Sequence, residues 1–408
     1  MARLAVLSLH TSPLAQPGAG DGGGMNVYVR ELAAAIARRG GDVDVFTRRE
    51  AVESPAVVEV EPGVRVHHVD AGPARLLDKE QLVEHVDAFT YGVLERMSSA
   101  CERYEAVHAN YWLSGIAGHA IKHELDLPLL VTFHTAERIK AATSGEPLSS
   151  RAAAEAAIVA CADAVLASCE VEASLLSSVL EVPEDRVALV PLGVDHAYFG
   201  PGDRTQARRA LGLEADGPLL LFAGRLQALK GADLALATVV ELARRSGDHR
   251  LVVVGGPSGP DGGAFEATLH ARAEAGGVRE RVTFVTPRPH ELLSTYFRAA
   301  DACLVPSRAE SFGLVALEAT ACGAPVVAAD VGGLAALVDD GVTGRLVASR
   351  RPAAWADAVE WVTEEPLRSM RLSTAAVLRA QRFTWRSAAE RFEAIVRATR
   401  DSHLVSCG

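Results

Sequence analysis

The sequence predicts two α/β domains, each built on a largely parallel sheet with helices on both faces. Three observations carry that expectation. At 408 residues the chain exceeds the roughly 250–300 residues at which a single hydrophobic core stops growing. Short apolar runs of strand length alternate with helix-period segments, the pattern of successive βαβ units. The alternation breaks once into Pro and Gly, across Val190–Gly202, and then resumes. The expected division is residues 1–192, residues 193–375, and a helical segment 376–408 that crosses back to the first domain.

In the first half, Arg3–Leu9 reads as a strand and is followed by a Gly- and Pro-rich loop. Asn26–Arg39 places Val27, Val29, Leu32, Ala33 and Ile36 on one face and ends in basic residues and Gly40, so it reads as a helix. Val43–Thr47 and Val64–Val69 are strands, Leu82–Cys101 a helix, and Ala106–Ala109 a strand. Leu129–Phe133 is a buried strand ending at His134, followed by an Ala-rich helix, Ala152–Cys161, and a strand, Ala164–Ala167. The second series runs through strand Leu219–Phe222, helix Ala232–Arg245 and strands Leu251–Val254 and Val282–Val285. Helix Leu292–Ala299, strand Ala302–Val305, a helix opening near Ser311 to Gly313, and strand Pro325–Ala328 complete it. From Ala353 to Ser402 the pattern is helical, with Trp355, Trp361 and Trp385 on apolar positions.

Composition narrows the classes of function. A net charge of −11 argues against a general nucleic-acid binder, so any phosphate recognition is local. No apolar stretch approaches the ~20 residues of a membrane span. The opening apolar run Leu4–Leu9 is shorter than a signal-peptide core and reads as a first strand. Six cysteines at 101, 161, 169, 303, 322 and 407 form no C-x2-C pair, which suits buried free thiols and a reducing, cytoplasmic setting.

The chemistry concentrates in Val305-Pro-Ser-Arg-Ala-Glu310-Ser-Phe-Gly-Leu-Val-Ala-Leu-Glu318. A strand stops at Pro306, and a helix N-terminus near Gly313 offers unpaired N–H groups to a phosphate. From Gly313 to Glu318 is about 7.5 Å of helix at 1.5 Å per residue, roughly the span from a nucleotide's diphosphate to its ribose. Glu310 and Glu318 can then accept hydrogen bonds from sugar hydroxyls. The plain alternative is a dipole-complementing Glu310 and a solvated Glu318. Phe222-Ala-Gly-Arg225-Leu-Gln-Ala-Leu-Lys230-Gly231 adds two cations suited to a diphosphate, and Val254-Gly-Gly-Pro-Ser-Gly259 ends a strand at the same sheet edge.

Three motifs mislead. Gly18, Gly20 and Gly23, with Asp44 about twenty residues on, imitate the dinucleotide fingerprint of an NAD-dependent oxidoreductase. That fingerprint needs its first Gly directly after the strand, and Thr11 to Pro17 intervenes here. Asp42-Val-Asp44 imitates a metal-binding Asp-x-Asp but opens a strand, so it reads as turn chemistry plus one loop-facing carboxylate. His67 and His68 face opposite sides of a strand and form no metal pair.

Glu310-Ser-Phe-Gly-Leu-Val-Ala-Leu-Glu318 resembles the E-x7-E signature of retaining glycosyltransferases of family 4. More narrowly, the whole chain resembles the actinobacterial D-inositol-3-phosphate glycosyltransferases of mycothiol synthesis. The matching runs include Leu9-His-Thr-Ser-Pro-Leu, Gly20-Asp-Gly-Gly-Gly-Met-Asn-Val-Tyr28, Tyr111-Trp-Leu-Ser-Gly115, Gly255-Gly-Pro-Ser-Gly-Pro260 and Pro287-Arg-Pro289. The resemblance implies a GT-B fold, two Rossmann-like domains facing each other across a cleft. The first would bind the acceptor and the second the nucleotide-sugar. The donor, a UDP-sugar such as UDP-N-acetylglucosamine, would be held by Gly23, Gly24, Arg225, Lys230, Arg288, Glu310, Ser311, Phe312, Gly313, Leu314 and Glu318. His134 would lie near the donor sugar and, with Arg225, Lys230 and Glu310, would form the catalytic set. Asn26 would help to bound the acceptor pocket, and Lys79, Tyr111, Thr135 and Arg151 would take an acceptor phosphate such as that of 1D-myo-inositol 3-phosphate.

No metal and no cofactor beyond the nucleotide-sugar is expected, and a homodimer is compatible with a sequence that sets no oligomeric state. Retention by same-face attack comes from the resemblance. Two stretches depart from it: Ala136-Glu-Arg-Ile-Lys-Ala-Ala-Thr after His134-Thr135, and His108-Ala-Asn110 before Tyr111. Both lie in the acceptor half. They keep open an antibiotic-pathway enzyme using a UDP- or GDP-sugar and an aminocyclitol or small thiol such as ergothioneine. A sugar-nucleotide sensor and an NAD-dependent oxidoreductase stand further off.

Overall fold

The computed structural model describes residues 3–18, 20, 22–145, 147–213, 217–259 and 261–406; Asp21, Pro260 and Cys407, singled out above, lie outside them. The chain forms two compact units. The first comprises residues Met1–Ala15, Gly24–Pro191 and Trp385–Gly408, and the second Gln16–Gly23 and Leu192–Thr384. Two boundaries therefore differ from those expected. The glycine-rich segment Gln16–Gly23 belongs to the second unit, and the return to the first unit comes at Trp385 rather than at residue 376. Helix Pro366–Ala380 packs on helix Leu314–Ala321, which keeps it with the second unit.

The first unit holds β1 (Arg3–Leu7), β2 (Asp42–Arg48), β3 (Val57–Glu61), β4 (Val64–Val69), β5 (Ala106–Asn110), β6 (Leu129–Thr132), β7 (Ala164–Ala167) and β8 (Val187–Leu189). They lie in the order β3-β4-β2-β1-β5-β6-β7-β8, parallel except for antiparallel β3 at the edge. The second holds β9 (Leu219–Ala223), β10 (Arg250–Val254), β11 (Val282–Val285), β12 (Ala302–Val305), β13 (Val326–Ala329) and β14 (Gly344–Val347). Its order is β11-β10-β9-β12-β13-β14, parallel throughout. The central strands read as unbroken apolar runs because both of their faces are covered. In each unit the strand order reverses beside the first strand, between β1 and β5 and between β9 and β12. Loops leaving the carboxyl ends of such a pair diverge and open a crevice.

Several elements differ from the reading of the sequence. The expected helix Leu82–Cys101 is three pieces, a short helix Lys79–Leu82, a 3₁₀ turn Val83–His85 and the helix Val86–Ser98. Helices Trp112–Leu125, Glu170–Val179 and Gly262–Ala275 were not anticipated. Trp355 and Trp385 are buried as expected, but Trp361 is half-buried between the guanidinium groups of Arg345 and Arg368, each 4.6 Å from its ring. Cys101, Cys169, Cys303 and Cys322 are free. Cys161 is disulfide-bonded, against the expectation of free thiols; sequence spacing cannot reveal a bond that depends on proximity in space. Helix Trp385–Arg400 lies on helix Gly24–Ala37, where Arg39 pairs with Glu390 at 2.7 Å and Glu393 at 3.1 Å. None of the described helices is long and apolar enough to cross a membrane.

Of the pair Asp42 and Asp44, from which one loop-facing carboxylate was expected, Asp44 is not that one. It is fully buried in β2 and accepts from Arg65 Nε at 2.7 Å, His67 Nε2 and Tyr104 Oη at 2.8 Å, and Arg3 Nε at 2.9 Å. Burial alone would push its carboxyl up, but these four partners reverse that and hold it well below the usual carboxylate range. Its stabilisation is complete above the unfolded value of about 3.9 and is lost only as pH falls through the depressed folded value. Asp44→Asn should therefore lower the unfolding free energy at pH 7 by about 3 kcal/mol, because it leaves the partly buried Arg3 and Arg65 guanidinium groups without their shared carboxylate. Urea titration measures this, and a loss below about 1 kcal/mol, the scale of an exposed pair, would contradict the reading.

Candidate active site

In the second unit, the loops after β9 and β12 meet where the strand order reverses. Lys230 Nζ lies 2.7 Å from Glu310 Oε2, and Ser307 Oγ donates to the same oxygen at 3.1 Å. The backbones also join, Arg308 N donating to Leu229 O at 2.8 Å. This closeness depends on small residues. A Cβ on Gly231, which has φ 77°, would stand 2.1 Å from Pro306 O, and one on Gly332, with φ 49°, would stand 2.0 Å from Glu310 O. Gly333 N donates to Glu310 O at 2.9 Å, so the loop after β13 fixes the backbone beneath Glu310.

Gly313 is the N-cap of helix Leu314–Ala321, close to the expected start. Ser311 and Leu314 are half-buried, and Phe312 is buried against Phe383 with ring centroids 5.7 Å apart. Glu318 is buried and paired with His290, Nε2 to Oε1 at 2.5 Å. That partner was missed, since 28 residues separate the two and no motif links them. Oε1 is thereby committed, while Oε2 makes no hydrogen bond among the described residues. Arg225 is half-buried beside Gly23, whose added Cβ would lie 3.3 Å from Nε, and Gly18 O accepts from Gly256 N at 3.1 Å. Gly24 lies across the unit boundary and opens helix Gly24–Ala37. Arg288 is exposed after β11.

In the first unit, the ends of β5 and β6 carry unusual backbone. Tyr111 has φ 75° and ψ 158°, a region occupied almost only by glycine, and its N–H donates to Thr132 O at 2.9 Å. His134 has φ 59°, and Thr135 N donates to Phe133 O at 2.6 Å, which closes a three-residue turn around it. Strained non-glycine residues cost about 1–3 kcal/mol each and cluster at functional sites. Here the two sit at neighbouring strand ends, and both are candidate site residues.

Arg151, on helix Ser150–Cys161, gathers this corner. Its Nε donates to Glu155 Oε1 at 2.6 Å, Nη1 to Tyr111 Oη at 2.9 Å and Nη2 to the Thr135 carbonyl, and its guanidinium stacks 4.7 Å from the Tyr111 ring. A guanidinium has five N–H donors, so two remain for a ligand. Glu155 is buried, and burial pushes its carboxyl up against the pull of Arg151. It was missed although it stands one helical turn from Arg151. Lys79 is half-buried at the start of helix Lys79–Leu82, and the contacts that unite Tyr111, Thr135 and Arg151 do not include it. Asn26 is buried and ties down the loop after β1, Nδ2 donating to Thr11 Oγ1 at 2.7 Å and Ser12 O at 2.6 Å.

His134 Nε2 donates to Asn110 Oδ1 at 2.9 Å, and the Tyr28 ring stands edge-on with centroids 5.1 Å apart. Although His134 keeps part of its surface exposed, desolvation lowers its pKa to about 3, so the imidazole is neutral at pH 7. Behind it, burial lowers the pKa of His108 to about 3, and His108 Nε2 lies 2.9 Å from Thr132 Oγ1. Elsewhere in this unit His119, His123 and Cys161 bring one possible metal-ligand atom each within 4.8 Å of one another, but the disulfide-bonded sulfur of Cys161 is no thiolate ligand.

Residues 203–379 match the family described as glycosyl transferases group 1, and residues 23–193 match the glycosyl transferase 4-like domain. The D-inositol 3-phosphate glycosyltransferase of Actinosynnema mirum is 45% identical over 98% of both chains, and that of Xylanimonas cellulosilytica 46% identical over 95% of this chain and 94% of its own. Among solved structures, a sucrose-phosphate synthase from Thermosynechococcus elongatus superposes with a TM-score of 0.90 at 32% identity, covering 98% of this chain and 99% of that one. Anabaena HepE in complex with UDP and glucose shares the fold, with a TM-score of 0.76 at 19% identity over 98% of this chain and 100% of that one.

The backbone cradle under Glu310 can be tested directly. Gly332→Ala adds both a left-handed residue and a clash with Glu310 O, whereas Gly341→Ala (φ 75°, no atom within 4 Å) adds only the first. Gly332→Ala should lower stability by at least about 2 kcal/mol more than Gly341→Ala, the order of an overpacked site. Equal shifts in thermal unfolding would show that the close approach is not needed.

Proposed function

This chain belongs to the family of the D-inositol 3-phosphate glycosyltransferases, and from that premise we propose how it works. It is a glycosyltransferase with the GT-B fold of two Rossmann-like domains. Our reading is that it moves N-acetylglucosamine, with retention, from UDP-N-acetylglucosamine to 1D-myo-inositol 3-phosphate. The observation that carries the acceptor is the convergence of Tyr111, Thr135 and Arg151, from three separate segments, with two guanidinium N–H groups left to receive a phosphate.

On the donor side, the proposal gives Arg225, Lys230 and the N-terminus of helix Leu314–Ala321 to the diphosphate, where fixed positive charge stabilises the leaving group. Glu318 takes a ribose hydroxyl on the oxygen that His290 leaves, and Glu310, held by Lys230 and Ser307, takes a hydroxyl of the transferred sugar. His134 is neutral and bonded to an amide, which suits hydrogen bonding to the sugar rather than nucleophilic attack. A second reading, an aminocyclitol or small-thiol acceptor, draws support from Glu155, which already balances the charge of Arg151.

Lys230→Ala should lower kcat at least about a hundredfold, the scale of losing one donor to developing charge. Arg151→Ala should raise the KM for the phosphorylated acceptor about tenfold to a hundredfold, from about 1.5–3 kcal/mol per charged hydrogen bond. It should leave hydrolysis of the UDP-sugar without acceptor unchanged. Mass spectrometry of products from 1D-myo-inositol 3-phosphate and free inositol checks the assignment. Equal use of both, or of neither while an aminocyclitol or thiol is glycosylated, removes the inositol phosphate. Activity should also persist in EDTA; loss with recovery on adding Mn²⁺ would contradict a leaving group stabilised by side-chain cations alone.

A further inference from the structure

We propose that His119, His123 and Cys161 form a zinc site that is completed when the disulfide of Cys161 is reduced. Each residue brings one ligand atom, and the three atoms lie within 4.8 Å of one another. They come from the C-terminal ends of two helices, Trp112–Leu125 and Ser150–Cys161. His119 and His123 stand one turn apart on the first, with ring centroids separated by 5.0 Å. Cys161 is the last residue of the second, and its Sγ lies 3.2 Å from His123 Nε2.

One face of helix Trp112–Leu125 brings these groups together. Gly115 meets Ile158 so closely that an added Cβ would stand 2.7 Å from its Cδ1, so the two helices approach with no side chain on that side. One and two turns further along the same face come His119 and His123. Lys122, between them, fixes the register: its Nζ donates to the Cys161 carbonyl at 2.8 Å and to Asp163 Oδ2 at 2.7 Å. The bond to Asp163 also neutralises the cation beside the site. At the opposite ends of the same helices, Arg151 Nη1 donates to Tyr111 Oη at 2.9 Å. The helices therefore run side by side, joined at one end by the candidate acceptor corner and at the other by this cluster.

Two imidazoles and a thiolate, with no carboxylate among them, suit zinc rather than magnesium or calcium. In a tetrahedral zinc site the ligand atoms stand roughly 3.3–3.6 Å apart. His123 and Cys161 are close to that separation at 3.2 Å. The widest gap must contract by roughly 1 Å, which rotation of half-buried His119 and exposed His123 allows. Reduction supplies the remaining ligand. A dithiol gives two electrons and two protons to the disulfide and is itself oxidised to a disulfide, leaving Cys161 as a thiol. Zinc then binds Cys161 as the thiolate and releases its proton, and water takes the fourth position. Along the helix, Tyr111 is about 12–18 Å from the two histidines at 1.5 Å per residue, so the metal clamps the helix pair and takes no part in the transfer.

The test uses the full chain without a histidine tag, with Cys101→Ser removing an exposed free thiol. Reduced with a phosphine and freed of reductant under argon, it should bind one equivalent of Co²⁺ with a tetrahedral spectrum and a thiolate charge-transfer band. Both should vanish when Zn²⁺ displaces the cobalt. His119→Ala, His123→Ala and Cys161→Ser should each weaken zinc binding at least about a hundredfold, since even outer-shell partners of a metal cost tenfold to a hundredfold. Zinc should raise the thermal midpoint of the reduced protein and leave that of His123→Ala unchanged; His123 is exposed, so this variant keeps the parent's core. Unreduced protein should show no charge-transfer band. Failure of the reduced protein to bind zinc stoichiometrically, or unchanged affinity in both histidine variants, overturns the site. Equal binding before and after reduction overturns the role given to the disulfide. None of these outcomes bears on the transfer reaction, because no step of the test uses a sugar.

Discussion

The reversal of strand order beside the first strand of each sheet is the constraint on which the rest depends. In a parallel sheet whose strands are added outward from one starting strand, all connections on one side leave over one face and those on the other side over the opposite face. Only at the reversal do two carboxyl ends lie adjacent with their loops going apart. In the second unit those loops carry Lys230 and Glu310, and in the first the strand ends carry Asn110, Tyr111 and, one strand on, His134. Each half of the chain thus builds its polar cluster where its topology leaves the backbone unoccupied. The chemistry of the two clusters differs because their loops differ; the sheets beneath are nearly the same.

A crevice alone does not orient side chains, and the two units achieve this differently. The second unit brings backbones into close contact. Gly231 against Pro306 and Gly332 against Glu310 allow separations that any side chain would prevent, so Glu310 is held by main chain on one side and by Lys230 and Ser307 on the other. The first unit uses strained backbone at Tyr111 and His134. Glycine at these two positions would relieve the strain and remove the hydroxyl and the imidazole with it. The strain therefore marks residues kept for their side chains, and the surrounding parallel ladder supplies the rigidity that holds them.

These devices also explain what could and could not be read from the sequence. Ala164–Ala167 and Ala302–Val305 were legible to the residue because a strand covered on both faces must be an apolar run of limited length, while Val64–Val69 and Val282–Val285 were legible from their valines. Helix Trp112–Leu125 was not legible: its buried face holds Ser114, Gly115, Gly118 and Lys122, which break the apolar period. Edge strand β3 has exposed valines and no buried face to set an alternation. In the site, Arg225, Lys230 and Glu310 stood out as charges in loops at strand ends, and Glu318 by its place one helical span beyond Gly313. His290 and Asn110 did not, since each matters only through a partner distant in sequence. Asp44 was misread because its partners come from three other segments: the guanidinium groups of Arg3 and Arg65, the His67 imidazole and the Tyr104 hydroxyl.

The pairing of Arg151 with Glu155 sets how an anion could be recognised at this corner. A lone guanidinium would attract any anion by charge, and its long side chain would lose much rotamer freedom on binding. Bonded to Glu155, the Thr135 carbonyl and the Tyr111 hydroxyl, the guanidinium of Arg151 has already lost that freedom on folding, and its net field is cancelled by a buried carboxylate one turn away. What remains is two N–H groups in a fixed plane beside an exposed threonine. Such an arrangement distinguishes ligands by the geometry of their acceptor oxygens more than by their charge. A phosphate monoester, with several equivalent oxygens on a tetrahedral centre, can meet the two N–H groups and a hydroxyl together, whereas a single hydroxyl or amine can meet only one. Under the proposed phosphorylated acceptor, Glu155 trades attraction at a distance for discrimination at contact; the same charge balance is what would admit an uncharged acceptor under the second reading.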